Sequence, residues 1–159
     1  MRWIIRPGGA EDYSLLIGIW ERAVRATHAF LPEEKIQYYR DAIPRLYFPQ
    51  VELSMACEAG GPPLGFAGLV QPSKEGDAGE AAPAKVAMLF VEPGMHGHGM
   101  GRMLLRRAWE AYGTLELDVN EQNPGAVIFY EKCGFVRTGR SEYDDEGNPF
   151  PLLHMRREF

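Results

Sequence analysis

The sequence predicts a mixed α/β domain, and three observations support this fold class. Segments with helical spacing and segments with strand character follow one another along all 159 residues. One of them, KVAMLFVEP at residues 85–93, is a nearly unbroken apolar run, which is expected for a central strand covered on both faces. The chain shows neither an internal repeat nor a linker, so we predict a single domain over residues 1–159.

The chain begins with one predicted strand and two predicted helices. Residues 3–6 (WIIR) form a short strand that ends at Pro-Gly-Gly. Residues 11–27 carry apolar side chains at helical spacing and therefore predict an amphipathic helix. A second helix should follow Pro32, a residue that suits the first turn of a helix, and Pro44 should disturb its end.

The next segments predict a hairpin and a connector. Residues 64–72 predict a strand that pairs with residues 51–59, because the Gly-Gly-Pro-Pro stretch between them is typical of a turn. Residues 73–84 are polar and small, which favours a mobile surface loop before the central strand. The strand at 51–59 alternates, with one face formed by Val51, Leu53, Met55 and Cys57.

After the central strand the pattern alternates between helices and strands. Residues 99–112 predict a helix, and residues 114–119 predict a strand. The next helix should begin after Asn123, its N-cap, and end before Gly134. The stretches FVRTG and PLLHMRR predict two closing strands. The elements together give a mixed central sheet of about six to seven strands flanked by about four helices.

Composition and charge exclude several classes of protein. Hydrophobic residues make up 45% of the chain and charged residues 25%, as is ordinary for a globular domain. No run approaches the roughly 18 apolar residues that span a membrane, and the N-terminus does not suit a signal peptide. Cys57 and Cys133 form neither a metal-ligand spacing nor a disulfide framework. Because the net charge is −5, we expect no nucleic-acid partner, and we predict a cytoplasmic protein without a metal site or a membrane partner.

A glycine-rich segment precedes the third predicted helix and suggests an anion site. Residues 91–108, VEPGMHGHGMGRMLLRRA, contain four glycines, each of which costs backbone entropy on folding. A helix N-terminus offers unpaired N–H groups and about half a positive charge, so it attracts phosphate. Gly97, Gly99 and Gly101 would let a phosphate approach the backbone, and Arg102 would add a charged contact.

Three phosphate-binding motifs compete for this loop. The Walker pattern fails because Met100, and not lysine, follows Gly99. The dinucleotide fingerprint fails because its third glycine is missing, although Asp118 imitates its downstream acid. The pattern Gln/Arg-x-x-Gly-x-Gly, after a buried strand that ends in Val-x-Pro, fits VEPGMHGHGMG with His96 at the Gln/Arg position.

The third pattern resembles the pyrophosphate loop of the GCN5-related N-acetyltransferase (GNAT) superfamily. NEQNPGAVIFYEKCGF resembles the C-terminal signature of that superfamily. Three further stretches, IWERAVRATHAFL, VNEQN and GRSEYDDEGNPFPLLHM, are similar to the bacterial YjaB-type acetyltransferases. These matches leave mainly residues 32–86 uncovered. The resemblance implies the GNAT fold, acetyl-CoA as the acetyl donor, and transfer of the acetyl group to an amine.

The resemblance also implies roles for particular residues. The backbone of the central strand would bind the pantetheine arm and polarise the thioester carbonyl, whose developing oxyanion an N–H group stabilises. Asn123, besides capping its helix, would contact the cofactor arm. His96 and His98 have the alternative of being ordinary exposed loop residues. The implied cofactor-binding residues are Leu89, Phe90, Val91, His96, Gly97, His98, Gly99, Met100, Gly101, Arg102, Asn123 and Tyr130.

Tyr130 is the predicted general acid. When an amine attacks the thioester, CoA leaves as a thiolate, and an acid with a pKa of about 10, such as tyrosine, is well matched to protonate it. The alternative is a core aromatic side chain, because Ile128, Phe129 and Tyr130 lie in the middle of a predicted helix.

The general base is left open by the sequence. A lysine-like amine with a pKa of about 10.4 must lose a proton before it attacks. Ala87 and Met88 place no carboxylate on the central strand. Glu116 and His28 are our first choices, with a contact to the acceptor as the alternative role of His28. The full set of candidates is Glu116, Asp118, Glu121, His28 and a water held by Asn120, and strand alternation puts Glu116 and Asp118 on one face.

The sequence thus predicts an acetyl-CoA-dependent N-acetyltransferase, an acyltransferase that acts on a protein lysine or on a small-molecule amine. A CoA-binding module with little catalysis is the alternative, and Tyr130 disfavours it because a binder needs no acid at the sulfur. A dinucleotide-binding oxidoreductase is opposed by the missing glycine. The expected partners are acetyl-CoA and the amine acceptor, and we expect a monomer or a homodimer.

Overall fold

The structure, a computed structural model, describes residues 2–73 and 82–158. The strands are β1 (Trp3–Pro7), β2 (Glu52–Glu58), β3 (Pro63–Val70), β4 (Ala84–Val91), β5 (Leu115–Asn120), β6 (Val136–Ser141) and β7 (Leu152–Arg157). The α-helices are α1 (Tyr13–Thr27), α2 (Glu33–Ala42), α3 (Met100–Tyr112) and α4 (Pro124–Lys132). The strands form one sheet in the order β1-β2-β3-β4-β5-β7-β6. The described residues therefore confirm the predicted mixed sheet with four helices.

The chain divides into two compact units. The first comprises Met1–Val70 and Ala87–Arg107, and the second comprises Gln71–Val86 and Ala108–Phe159. Both β4 and α3 contribute residues to each unit. The single domain over residues 1–159 stays a prediction.

The first unit buries both faces of its hairpin. β2 pairs antiparallel with β1 and with β3, which confirms the predicted hairpin. Met55 belongs to a hydrophobic cluster with Leu16 and Ile19 of α1, whereas its neighbour Ala56 belongs to a second cluster with Leu104 of α3. Because alternate side chains of β2 enter two separate clusters, a slip of one residue would disturb both, and the register of β2 is strongly specified.

The second helix follows Pro32 and is disturbed at Pro44, as predicted, and it differs from the prediction only in the position of Pro32. Pro32 is the N-cap of α2, with an extended backbone (φ −64°, ψ 152°), and is not a residue of the first turn. A single π-helical turn, Ile43–Tyr47, follows the end of α2 at Ala42. Pro44 lies in this turn and has no N–H to donate to the preceding turn, which accounts for the disturbance that the sequence predicted.

The central strand β4 is less buried than predicted. Ala84, Val86 and Val91 are buried, whereas Ala87 is exposed and residues 88–90 are half-buried. The predicted coverage on both faces is therefore wrong for the middle of the strand. An apolar run shows the composition of a strand but does not show which elements pack on it. The middle of β4 is accessible to solvent.

In the second unit, β5 lies between β4 and β7. It pairs in parallel with residues 84–86 of β4 and antiparallel with β7, where Asp118 lies opposite His154. Glu116 and Asp118 share the half-buried face of β5, which confirms the predicted alternation. The buried face consists of Leu115, Leu117 and Val119.

Arg157, at the end of β7, contacts α3 and the end of α4 within the second unit. Its guanidinium carbon lies 3.9 Å from the centre of the Trp109 ring, and its Nε donates to the carbonyl oxygen of Cys133 at 2.9 Å. Gly134 follows α4 with a φ of 94°, and a Cβ there would lie 3.2 Å from Arg157 Nε. Gly134 therefore ends the helix, as predicted, and also leaves room for the guanidinium.

The predicted mobile loop at residues 73–84 falls mostly outside the described residues. Residues 74–81 are not described. The two described residues that flank them, Ser73 and Ala82, pair in an isolated antiparallel β-bridge.

Candidate active site

The glycine loop between β4 and α3 forms an open backbone surface. Gly97 and Gly99 have φ angles of 81° and 86°, a conformation that residues with a Cβ rarely adopt. A Cβ built on Gly94, Gly97 or Gly99 would meet no atom of the described residues within 4 Å. Crowding inside the protein therefore does not require these glycines, and the space beside them can admit a ligand that approaches the backbone.

The first turn of α3 adds hydrogen-bond donors to this surface. The Gly99 carbonyl accepts the first helical bond, from the N–H of Met103 at 3.0 Å. The N–H groups of a first helical turn have no partner within the helix, and the helix dipole adds partial positive charge there. Met100 is buried and anchors the turn, whereas Arg102 is exposed. The loop and the helix start thus fit the pyrophosphate of acetyl-CoA.

The two loop histidines differ in their contacts. His96 Nε2 lies 3.2 Å from the carbonyl oxygen of Val91, to which it donates a hydrogen bond. This bond ties the loop back to the last residue of β4. His98 is exposed.

The chain leaves β4 at a crowded point of the first unit. The N–H of Glu92 donates to the Leu64 carbonyl of β3 at 2.8 Å. A Cβ on Gly65 would lie 2.9 Å from Met100 Sδ and 3.3 Å from the Phe90 carbonyl oxygen. Gly65 is therefore required for the close approach of β3 to the strand and to the helix that carry the glycine loop.

Tyr130 lies in α4, within the second unit, and packs between two aromatic rings. Its ring centroid is 5.3 Å from that of Phe129 and 5.7 Å from that of Phe135. Burial, with a smaller contribution from Cys133, raises the pKa of Tyr130 well above its usual value. The phenol is protonated at neutral pH at either pKa, and the raised pKa makes it a weaker acid than an ordinary tyrosine, so the match to a thiolate is poorer than the sequence predicts. The packing of the ring between Phe129 and Phe135 is what the alternative, a core aromatic side chain, predicts.

Asn123 caps α4 as predicted. Its Oδ1 accepts a hydrogen bond from the N–H of Ala126 at 3.4 Å. Because an amide oxygen has two lone pairs, the cap leaves one of them for another donor, and the cap does not use the side-chain NH₂ group.

Each of the two preferred bases is held by a neighbour. Glu116 forms an ion pair with Arg156 of β7 at 3.0 Å. His28 belongs to the first unit, where its Nδ1 lies 2.8 Å from Thr27 Oγ1 and burial lowers its pKa. Glu116 belongs to the second unit, so the structure places the two candidates in different units.

The other acidic candidates are paired with cations as well. Glu121 accepts two hydrogen bonds from Arg140, at 2.6 and 3.1 Å. These hydrogen bonds are the main reason why the pKa of Glu121 is lowered. Asp118 contacts Lys85 at 2.8 Å and His154 at 2.5 Å. Partial burial would raise the pKa of Asp118, but the hydrogen bonds from these two neighbours outweigh it and lower that pKa.

Sequence reasoning missed three residues that the structure joins to Asp118. Lys85 contacts one carboxylate oxygen, His154 contacts the other, and Ser141 Oγ lies 2.7 Å from His154 Nε2. Strand alternation alone would place His154 on one face of its strand. Only the register of β5 against β7 puts that face beside Asp118.

The described residues contain neither a cluster suited to a metal ion nor a helix suited to a membrane. No group of three or more His, Cys, Asp or Glu side chains in the ranges 2–73 and 82–158 is arranged to hold a metal ion. None of the helices in these ranges has the length and apolar character needed to cross a membrane. Cys57 and Cys133 are both buried, and neither forms a disulfide within the described residues.

Comparison with known proteins supports the resemblance over nearly the whole chain. Residues 34–159 match the acetyltransferase (GNAT) domain family. The chain is 39% identical to the peptidyl-lysine N-acetyltransferase YjaB of Escherichia coli K12 over 151 residues, which cover 95% of this chain and 94% of the relative. The YjaB protein of Salmonella typhimurium LT2 is 40% identical over 154 residues, with 95% of each chain covered.

Solved structures agree with the sequence relatives. The solution structure of apo-form YjaB from Escherichia coli matches with a TM-score of 0.82 and 37% identity, covering 98% of this chain and 97% of that one. The PaiA N-acetyltransferase of Thermoplasma acidophilum, crystallised with coenzyme A, shares the fold with a TM-score of 0.75, 20% identity and complete coverage of both chains. The predicted fold and family are confirmed: the chain belongs to the GNAT acetyltransferases, enzymes that transfer the acetyl group of acetyl-CoA to an amine.

Proposed function

We propose that this chain acetylates the side-chain amine of lysine residues in proteins. The observation that carries this proposal is the identity of 39% and 40%, over 95% of the chain, to two enzymes named peptidyl-lysine N-acetyltransferases. At that coverage the similarity extends beyond the cofactor loop to most elements, so it bears on the acceptor as well as on the donor. The family match over residues 34–159 includes parts of both units, which supports one acetyltransferase domain over residues 1–159.

The glycine loop is the proposed binding site for the pyrophosphate of acetyl-CoA. The N–H groups of residues 97–101 would donate to the phosphate oxygens, and Arg102 would add positive charge. The backbone of Leu89, Phe90 and Val91 would bind the pantetheine arm, because this stretch of β4 is partly accessible. Acetyl-CoA supplies the activated acetyl thioester.

Tyr130 is the proposed general acid, and Asn123 a proposed contact of the cofactor arm. Tyr130 carries its proton at neutral pH, and the proposed role requires the phenol to give this proton to the leaving thiolate although burial raises its pKa. Asn123 would contact the arm with the side-chain groups that its capping bond leaves unused.

Glu116 and His28 are kept as proposed bases, and their environments make different demands. Glu116 must first release Arg156, whose charge stabilises the carboxylate. His28 is neutral at neutral pH because burial lowers its pKa, so its imidazole is in the form that accepts a proton. Either role requires that the acceptor amine reach the side chain.

An acceptor panel tests the proposal directly. We would incubate the protein with acetyl-CoA and lysine-containing peptides, matched peptides with arginine in place of lysine, and the small amine spermidine, and follow thiol release. Acetylation of the lysine peptides only is the expected result. Reaction with spermidine alone would contradict the lysine proposal while leaving the acetyltransferase intact. We propose the cytoplasm as the place of action, because Cys57 and Cys133 form no disulfide within the described residues, as is usual in a reducing compartment.

A further inference from the structure

A chain of hydrogen bonds crosses neighbouring strands of the second unit. Ser141 Oγ of β6 lies 2.7 Å from His154 Nε2 of β7, and His154 Nδ1 lies 2.5 Å from Asp118 Oδ1 of β5. The other carboxylate oxygen of Asp118 accepts from Lys85 Nζ at 2.8 Å. We call Ser141, His154 and Asp118 the serine relay. None of its hydrogen bonds is needed by the proposed acetyl transfer.

Strand register and one glycine bring the relay together. Asp118 lies directly opposite His154 in the β5–β7 ladder, and Gly139 of β6 lies opposite His154 on the other side. A Cβ on Gly139 would lie 3.3 Å from His154 Cδ2. The missing side chain therefore leaves room for the imidazole to lie across β6 and to reach Ser141, two residues further along that strand.

The contacts also fix which nitrogen of the imidazole carries the proton. An ionised carboxylate only accepts hydrogen bonds, and the two neighbours of Asp118 hold its pKa low, so the Nδ1–H of His154 must donate to Asp118. In the neutral imidazole, Nε2 is then the acceptor and receives the hydroxyl hydrogen of Ser141. A serine hydroxyl on an imidazole that a carboxylate orients is the arrangement that activates serine as a nucleophile.

The relay is open to small molecules from outside. The His154 side chain is 36% exposed, that of Asp118 is 20% exposed, and Ser141 is half-buried. An ester can therefore approach the hydroxyl, while the carboxylate behind the imidazole is better shielded. The charged groups near the relay include Lys85 of β4, Glu116 of β5, Arg156 of β7 and Asp145, and Glu116 and Arg156 pair with each other at 3.0 Å.

We propose that Ser141 is a nucleophilic serine, activated by His154 and oriented through Asp118, that hydrolyses small activated acyl esters. Ser141 Oγ attacks the carbonyl carbon of the ester while its proton passes to His154 Nε2. The bond between the carbonyl carbon and the alcohol oxygen then breaks, and the leaving alcohol takes the proton from His154. Water attacks the acyl-serine in the same way, which releases the carboxylic acid and restores Ser141. This activity needs no acetyl-CoA and stands apart from the proposed acetylation of lysine.

A fluorophosphonate probe tests the relay without any acyl donor or amine. The probe phosphonylates activated serines, and we expect one adduct per chain, located on Ser141 by peptide mass spectrometry. Ser141→Ala should abolish the adduct. His154→Gln and Asp118→Asn should each slow labelling on the order of 10² to 10⁴-fold, the range expected when a general base or its orienting partner is lost. Ser14→Ala, at an exposed serine of α1, is the matched control and should label at the parent rate.

Hydrolysis of an aryl acetate provides the second measurement. The same variants should lose the release of the phenol in the same order, with Ser14→Ala unaffected. An absent adduct on the parent protein, or equal labelling rates in the parent and Asp118→Asn, would overturn the proposal. Because His154→Gln could disturb β7, the fold of each variant is checked by far-UV circular dichroism. If His154→Gln is unfolded, the result for Asp118→Asn decides the test. Acetyl transfer is absent from both assays, so their outcome is independent of the proposed function.

Discussion

Arg22 of α1 and Glu92, the residue after β4, form a bidentate ion pair. Arg22 Nε donates to the two carboxylate oxygens of Glu92 at 2.9 and 3.0 Å, and Arg22 Nη2 also contacts Glu92. Since the Glu92 N–H donates to the Leu64 carbonyl as well, this residue joins α1 and β3 at the start of the glycine loop. The pair is a positioning contact for the loop and does not itself need to touch the cofactor.

Glu92→Gln should therefore weaken CoA binding slightly. The Arg22 side chain is 57% exposed, so water screens the pair, and we expect a loss below about 1 kcal/mol, or up to about fivefold in affinity. Isothermal titration calorimetry with CoA measures it. Asp41→Asn, which breaks the exposed Arg45–Asp41 pair of α2, is the control, and equal affinities of the two variants would show that the Arg22 contact does not position the loop.

Gly99→Val should abolish most of the CoA affinity. The φ of 86° is unfavourable for valine, and the side chain would occupy the open space beside the loop, so we expect at least about tenfold weaker binding, about 1.4 kcal/mol. Gly147→Val is the matched control, because Gly147 has a φ of 80° and open space but lies between β6 and β7. Both variants bear the backbone strain. Equal CoA affinities in calorimetry would remove the loop from the binding site.

Tyr130→Phe should lower turnover and leave the cofactor bound. The change keeps the ring between Phe129 and Phe135 but deletes the proton, so kcat should fall on the order of 10² to 10⁴-fold with a small change in KM for acetyl-CoA. Thiol release at saturating lysine peptide gives kcat, and calorimetry gives the affinity. Near-native turnover would identify Tyr130 as a packing residue only, and lost affinity would identify it as a binding residue.

His28 should make the protein less stable in acid. Burial lowers the folded-state pKa of His28 below the unfolded value of about 6.5, so the unfolded chain binds more protons below that pH. Its contribution is thus complete above about pH 6.5 and is lost as the pH falls toward the folded pKa. Between pH 6.5 and 5.5 the free energy of unfolding of His28→Gln should fall less than that of the parent, with a difference of at most about 1.4 kcal/mol. Urea unfolding measures both. Exposed His98→Gln is the control, and parallel curves for all three proteins would contradict the prediction.

Glu116→Gln separates the two proposed bases. If Glu116 accepts the amine proton, its amide variant should lose on the order of 10² to 10⁴-fold in kcat with His28→Gln near the parent, and the reverse ranking holds if His28 is the base. Asp41→Asn is the comparison, because it removes a carboxylate that is ion-paired with Arg45 but is not a candidate base, and it should turn over at the parent rate. Turnover close to the parent in both Glu116→Gln and His28→Gln would exclude both residues as the base.

Most elements of the fold could be predicted from local patterns in the sequence. The N-cap at Asn123, the glycine at 134 and the alternation around Glu116 depend on neighbours a few residues away, and all three were predicted correctly. The glycine loop was found for the same reason, since its φ angles and its helix start are local properties. Pro32 shows the limit, because the same fixed φ suits the N-cap and the first turn.

Contacts between segments that are distant in the sequence could not be predicted. The bond from His154 to Asp118 joins residues 36 positions apart and depends on a ladder register that single strands do not reveal. Ser141 contacts His154 because Gly139 has no side chain that would occupy the space of the imidazole. The exposed middle of β4 was missed for a related reason, because burial is set by what packs on a strand and the apolar run gives no information about that.

The stacking of Arg157 on Trp109 also makes the chain suitable for optical measurements of cooperativity. Of the three tryptophans, Trp3 and Trp20 belong to the first unit and Trp109 to the second. A chain with phenylalanine at the first two positions emits from Trp109 alone, and its fluorescence then follows melting of the second unit while circular dichroism follows the whole chain. Coincident transitions would mean that the 159 residues melt as one cooperative body, and separate ones would give each unit its own melting temperature.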